Sequence, residues 1–318
     1  MCLTLGLDQR MRDGNLTRQD WLRTVKENRV WTTVRYMYLH HSMHAGTSVL
    51  LSPSIMQPGI PINANDIEID STWTANDNIH DVGEWTGSSA ELLISRSLPL
   101  VSAIISLANS PPATEPQRVD LIVGDALIRD LLREIEMVFA EPGSTWKCLQ
   151  RCMLIVYFRR VLLTIYHLGS RCNTPKSVVD TTRVAAFSPL AETECAISIL
   201  VQQRCMLEDA GFSRDAGRVV AELYKEDFLI AALVIGGQWM RTTCFLSSLS
   251  VANHSSDNLS SPKCCPSGEA PTVLEGLHWC RELWARDVEH SICNFAAHSI
   301  LGRLLDVLGD SNVYLIGG

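Results

Sequence analysis

The sequence predicts an all-α protein, an irregular multi-helix bundle. Three observations lead there. Apolar residues recur at three- and four-residue spacings along most of the chain, alternating strand-like patterns are almost absent, and Pro, Gly, Asn and Ser clusters separate the periodic stretches. With 318 residues and 46% hydrophobic content, there is enough apolar material for a sizeable core.

The elements follow in order. Asn15 to Asp20 offers capping residues, and Trp21, Val25, Trp31, Val34, Met37 and Tyr38 then recur at helical spacing, which predicts a helix over about 18–45. Pro53, Pro58, Gly59 and Pro61 end it. Between Pro58 and Gly83 the chain is rich in Asn and Asp, whose side chains compete for backbone hydrogen bonds, so an extended crossing segment is expected. Helical periodicity resumes from Glu84 to Ser110, stopped by Pro111-Pro112, and from Arg118 to Phe139, stopped by Pro142-Gly143. Trp146 to His167 is apolar on nearly every face apart from Lys147, Gln150, Arg151, Arg159 and Arg160, and such a helix belongs in the middle of a bundle. Gly169 to Thr182 reads as a loop. Leu190–Glu208 and Ala216–Cys244 are helical, the second weakened by Gly236-Gly237. Ser247 to Pro271 is a Ser-, Asn-, Pro- and Gly-rich insertion, and Thr272 to Leu308 reads as one last helix. As domains, this gives a helical core over 1–246, a flexible loop over 247–271, and a closing helix over 272–318 packed on the same domain.

Charge and cysteine usage narrow the function. Lys and Arg number 27 against 35 Asp and Glu, a net charge of −8 that opposes the DNA backbone unless basic residues cluster. The dense basic pair Arg159-Arg160 lies inside the apolar run Met153 to Leu163 and reads as structural. There are 11 cysteines but no Cys-x2-Cys pair, and nothing approaches the six closely spaced thiolates that a two-zinc cluster requires. Met1 to Arg10 lacks the positive flank of a signal peptide, and an odd cysteine count fits a reducing compartment without disulfides. The longest apolar run, Phe228 to Gly237, is about half of the ~20 residues that cross a bilayer.

The chemical candidates are few. His40 and His44 form a His-x3-His pair able to bind zinc from one helix face, with His41 beside them; no third ligand and no intervening acid are evident, so no metal ligand is assigned. Cys148 and Cys152 share the face of an apolar helix and read as buried thiols. Cys264-Cys265 beside Lys263 offers a redox pair on a loop, but adjacent cysteines strain the disulfide they would form. Gly-x-Ser-x-Gly, Gly-x-Gly-x-x-Gly and Walker-type motifs are absent, so no catalytic and no cofactor-binding residue is named and no cofactor is expected. Trp21, Trp31, Trp73, Trp85, Trp146, Trp239, Trp279 and Trp284 read as core packing.

A set of motifs adds a resemblance. Leu5-Gly6-Leu7, then Arg29-Val30-Trp31, then Gly46, then Pro61-Ile62-Asn63-Ala64-Asn65-Asp66 follow in order. Trp146 to Leu163 and Tyr224-Lys225-Glu226-Asp227-Phe228-Leu229-Ile230-Ala231-Ala232 come later, and Leu283-Trp284 marks the last helix. This order resembles the later part of the regulatory, or middle homology, region of fungal zinc-cluster transcription factors. The long helix departs from that pattern, closing Tyr166-His167-Leu168-Gly169 where the family has Leu-His-Arg-Pro.

The resemblance implies an all-helical transcriptional regulatory protein of the nucleus, of the kind that controls a pathway or a secondary-metabolite gene cluster. It implies no direct DNA-binding residue here, and partners in the transcription machinery or a DNA-binding activator. A small-molecule effector and self-association stay open, and no membrane is involved. An all-helical biosynthetic enzyme is the alternative, but no Asp-Asp-x-x-Asp magnesium motif is present, and Asp66 and Asp70 lie off the helices. A remnant of a longer activator is a third reading. Leu3, Leu5 and Leu7 lack the earlier helices that would cover them in the family, so exposed apolar surface is expected there, at ~1.5–3 kcal/mol per unburied leucine.

Overall fold

The computed structural model describes residues 18–52, 55–56, 62–65, 68, 80–81, 83–109, 121–141, 143–172, 188–208, 214–248, 273–286 and 288–316. Among them the protein is all-α, with nine helices and no strand. The helices are α1 (Arg18–Ala45), α2 (Ser89–Ala108), α3 (Leu121–Val138), α4 (Thr145–Cys172), α5 (Pro189–Glu208), α6 (Arg214–Leu223), α7 (Lys225–Ser248), α8 (Val273–Ala285) and α9 (Ile292–Ile316). The chain divides into two compact units, Met1–Phe187 and Ser188–Gly318, where the sequence reading expected one core over 1–246.

In the first unit α4 is central. Val156, Phe158, Val161, Leu162 and Ile165 are wholly buried, and the helix packs on α2 and α3, as an all-round apolar helix requires. Its polar exceptions have partners. Lys147 Nζ sits 5.5 Å from the Trp85 ring centroid, and Arg160 donates to Thr164 Oγ1 at 2.9 Å. By length and composition α2 and α4 are apolar enough to cross a membrane, although 78% of the apolar window of α4 is buried within the protein. Counting uninterrupted apolar runs missed both helices, because a few scattered charges break a run without greatly lowering mean hydropathy.

Each boundary has a local cause. α1 stops at Gly46, whose φ of 63° is the left-handed conformation glycine adopts freely, while Thr47 N–H donates to Ser42 O at 3.2 Å. Asn109 Nδ2 then ties the end of α2 to the carbonyls of Ser42 and Thr47, at 3.1 and 2.7 Å. α2 starts at Ser89 rather than near Glu84, because the hydroxyls of Thr86, Ser88 and Ser89 hold a turn there. α4 runs on to Cys172, through the start of the loop expected from Gly169. Its apolar pattern gives out before its backbone does.

In the second unit α5 packs on α6, α7 and α8, while α9 packs on α7 and α8. Ser188 caps α5, accepting from Ala191 N–H at 3.2 Å ahead of Pro189, whose missing N–H would be unsatisfied in any case. Two stretches expected to be single helices are each two. The helix over 216–244 is broken at the buried Tyr224, which separates α6 from α7. The closing helix over 272–318 is α8 and α9, divided at Arg286–Ser291. Asn294 Nδ2 donates to Arg286 O at 2.9 Å and Asn294 N–H to Ser291 Oγ at 3.3 Å, so side chains fix the new start. The expected loop over 247–271 and the apolar start at Leu3, Leu5 and Leu7 lie almost wholly outside the described residues.

Candidate functional site

The richest polar constellation is where residues 62–65 cross α1 and meet the start of α2. Asn63 is buried and uses both ends of its amide. Its Nδ2 donates to the carbonyls of Asp81 and Glu84 at 2.8 and 3.1 Å, and its Oδ1 accepts from Thr86 Oγ1 at 2.7 Å. Ser88 Oγ lies 2.9 and 2.8 Å from the carbonyls of Ile62 and Ala64 and accepts from Ala64 N–H at 3.1 Å. Asn65 Oδ1 accepts from Gly87 N–H at 2.8 Å. These contacts stand in for the ladder that an isolated extended segment lacks, and they keep its backbone groups paired away from water.

Two helices complete the frame. From α1, Arg29 Nη2 donates to Ala64 O at 2.8 Å, while Val25, Leu22, Ile62 and Ala64 pack together beneath. From α4, Gln150 Nε2 donates to Gly87 O at 2.8 Å and its Oε1 accepts from Trp85 Nε1 at 3.1 Å. Gln150, an unexplained polar residue within an apolar helix when read from sequence, is therefore a clasp on the segment before α2.

An acid–imidazole bridge flanks the crossing. His80 contacts Glu84 Oε2 through Nδ1 at 2.8 Å and Glu68 Oε1 through Nε2 at 3.0 Å, and Glu68 Oε2 accepts from Asn65 N–H at 2.7 Å. The hydrogen bond to Glu84, then that to Glu68, raises the His80 pKa; the Asn65 amide, then His80, lowers that of Glu68. Farther along α1, Arg35 is buried over Trp31 and donates to Ile55 O at 3.0 Å; burial lowers its pKa to about 10, so it stays charged at neutral pH.

The residues weighed from sequence are distributed as follows. His40 and His44 do meet on one face of α1, with Nε2 atoms 3.1 Å apart, while His41 is exposed. Cys152 is buried and Cys148 partly so, and neither is in a disulfide. Arg159 and Arg160 are half-buried on α4. Trp31 and Trp284 are core residues, but Trp146 is 52% exposed, against the reading of all eight tryptophans as core. Position 146 is the first turn of α4, where the bundle ends. Trp73, Asp66, Asp70, Cys264 and Cys265 lie outside the described residues. Asp125, Arg129 and Tyr166, which the sequence reading did not single out, form a cross-tie in which Tyr166 donates to Asp125 Oδ1 at 2.9 Å and Arg129 donates to both.

Comparisons with protein-family profiles, with curated proteins and with solved structures give no match.

Proposed function

We propose that these 318 residues form a transcriptional regulatory protein, resembling the regulatory region of fungal zinc-cluster factors, that acts in the nucleus through contacts with other proteins. One observation carries the reading. The two motifs on which the resemblance chiefly rests, Arg29-Val30-Trp31 and the Pro61 to Asp66 segment, are far apart in sequence, yet Arg29 bonds the Ala64 carbonyl directly. Motifs that hold each other are parts of one device, which supports their being read together. Net charge −8 and the absence of a thiolate cluster favour regulation over DNA reading for this stretch of chain.

Such a protein switches between populations by binding an effector or partner with different affinity in each. The crossing segment is suited to that role because side chains, not a continuous ladder, hold it. The test is a reporter assay with this chain fused to a foreign DNA-binding domain. Transcription should change relative to the DNA-binding domain alone, and Asn63→Ala should alter the response. No change under any inducing condition would remove the proposal.

A further inference from the structure

We propose that His40 and His44 chelate a borderline transition cation of the Zn2+ or Ni2+ class through their two Nε2 atoms. Four residues apart on α1, the rings share one face, as a helical metal-binding pair must. Their Nε2 atoms are 3.1 Å apart. Two nitrogens each ~2.0–2.1 Å from one tetrahedral ion would lie about 3.3 Å apart, so a small adjustment accommodates the metal. The rings meet edge to face with centroids 4.5 Å apart rather than stacked, and their closest polar contact is between the two Nε2 atoms.

The surroundings prepare the pair. Tyr36 stacks on His40 with centroids 5.8 Å apart, and Tyr157 from α4 packs edge-on against Tyr36 at 4.9 Å and lies 6.4 Å from the His40 ring. His40 is buried and His44 half-buried, so ring orientation is set before any ion arrives. The Tyr157 hydroxyl, wholly buried beside this cluster, has no hydrogen-bond partner among the described residues. Water brought in with a cation would give that oxygen a partner.

Without metal, one Nε2–H donates to the other ring. With metal, both rings carry their proton on Nδ1 and both Nε2 lone pairs bind the cation, so the shared proton is relocated and none need be lost. Water or other oxygen donors complete the coordination. Imidazole ligands suit Zn, Cu, Fe and Ni, and a neutral pair adds no charge preference for a harder ion.

The experiment is equilibrium dialysis of the full chain against Ni2+, then Zn2+, near neutral pH, comparing wild type with His44→Ala, His40→Gln and the exposed control His41→Ala. Ni2+ comes first because the 11 cysteines provide competing thiolate sites for zinc. Wild type and His41→Ala should bind one equivalent that both pair variants lose, or hold roughly tenfold or more weakly. That equivalent should be released on acidification, because protons compete with the cation for the imidazole nitrogens. Far-UV circular dichroism verifies that each variant is folded, and either folded variant is sufficient. Equal binding by wild type and a folded pair variant would overturn the proposal and leave the contact a plain imidazole–imidazole hydrogen bond, as would no binding by wild type.

Discussion

Asn63 has no spare bonding capacity, so its replacement is predicted to be costly. Asn63→Ala would remove three hydrogen bonds made by a buried amide, to the Thr86 hydroxyl and to the carbonyls of Asp81 and Glu84, each worth ~0.5–1.5 kcal/mol net. We expect a loss of about 2–3 kcal/mol in urea unfolding; a loss below about 0.5 kcal/mol would mean that water replaces the amide readily. His80 sets a pH dependence. Its pKa is raised above 6.5, so its contribution is complete below that value and is lost as pH rises through the folded pKa. Glu68, lowered from 4.5, contributes above that value and loses its contribution as pH falls through its folded pKa. The bridge is therefore strongest between about 4.5 and 6.5. Stability measured at successive pH values should fall less across the rise above 6.5 in His80→Gln than in wild type, and parallel curves would count against the bridge.

At the scale of elements, adjacent glycines in α7 have opposite roles. Nothing lies within 4 Å of a Cβ built at Gly237, so Gly237→Ala should stabilise the helix by roughly 0.5–1 kcal/mol. A Cβ at Gly236 would lie 2.4 Å from Leu304 Cδ1, where α7 and α9 approach closely. Gly236→Ala should fall below Gly237→Ala by roughly 1–3 kcal/mol in the same assay, and equal stability would show that Leu304 yields without cost. Helix identity was legible because periodicity reports an apolar face, as in α2 and α3, and because a long stretch apolar on nearly every face, as in α4, suits the middle of a bundle. The breaks at Tyr224 and at Arg286–Ser291 were not, because apolar residues stay in phase across both, and the Asn294 amide that fixes the second is an ordinary polar residue in sequence. The crossing segment was legible as non-helical from its Asn content. Its partners were hidden, since Thr86 and Ser88 lie more than twenty positions from Asn63 and Ala64. The facing of His40 and His44 was legible from spacing; how closely their nitrogens converge depends on rotamers that spacing does not specify.

For the molecule as a whole, charge sets the expected behaviour toward nucleic acid. A chain of net charge −8 and pI about 5.6 repels the phosphate backbone, and its most compact arginine pair is half-buried on α4. Fluorescence anisotropy with labelled duplex DNA at physiological salt should show no saturable binding by this chain. Saturable binding that weakens with salt would instead reveal a basic surface and displace the regulatory reading toward direct DNA contact.

The position of α4 in the chain also bears on biogenesis. Its main packing partners, α2 and α3, and the Tyr36 ring of α1 that meets Tyr157, all precede it. A ribosome emitting residues in order at ~5–20 per second therefore delivers this apolar helix to partners already outside the exit tunnel. Moving α4 ahead of them by circular permutation would leave it seeking chaperones for the time needed to translate the helices that cover it.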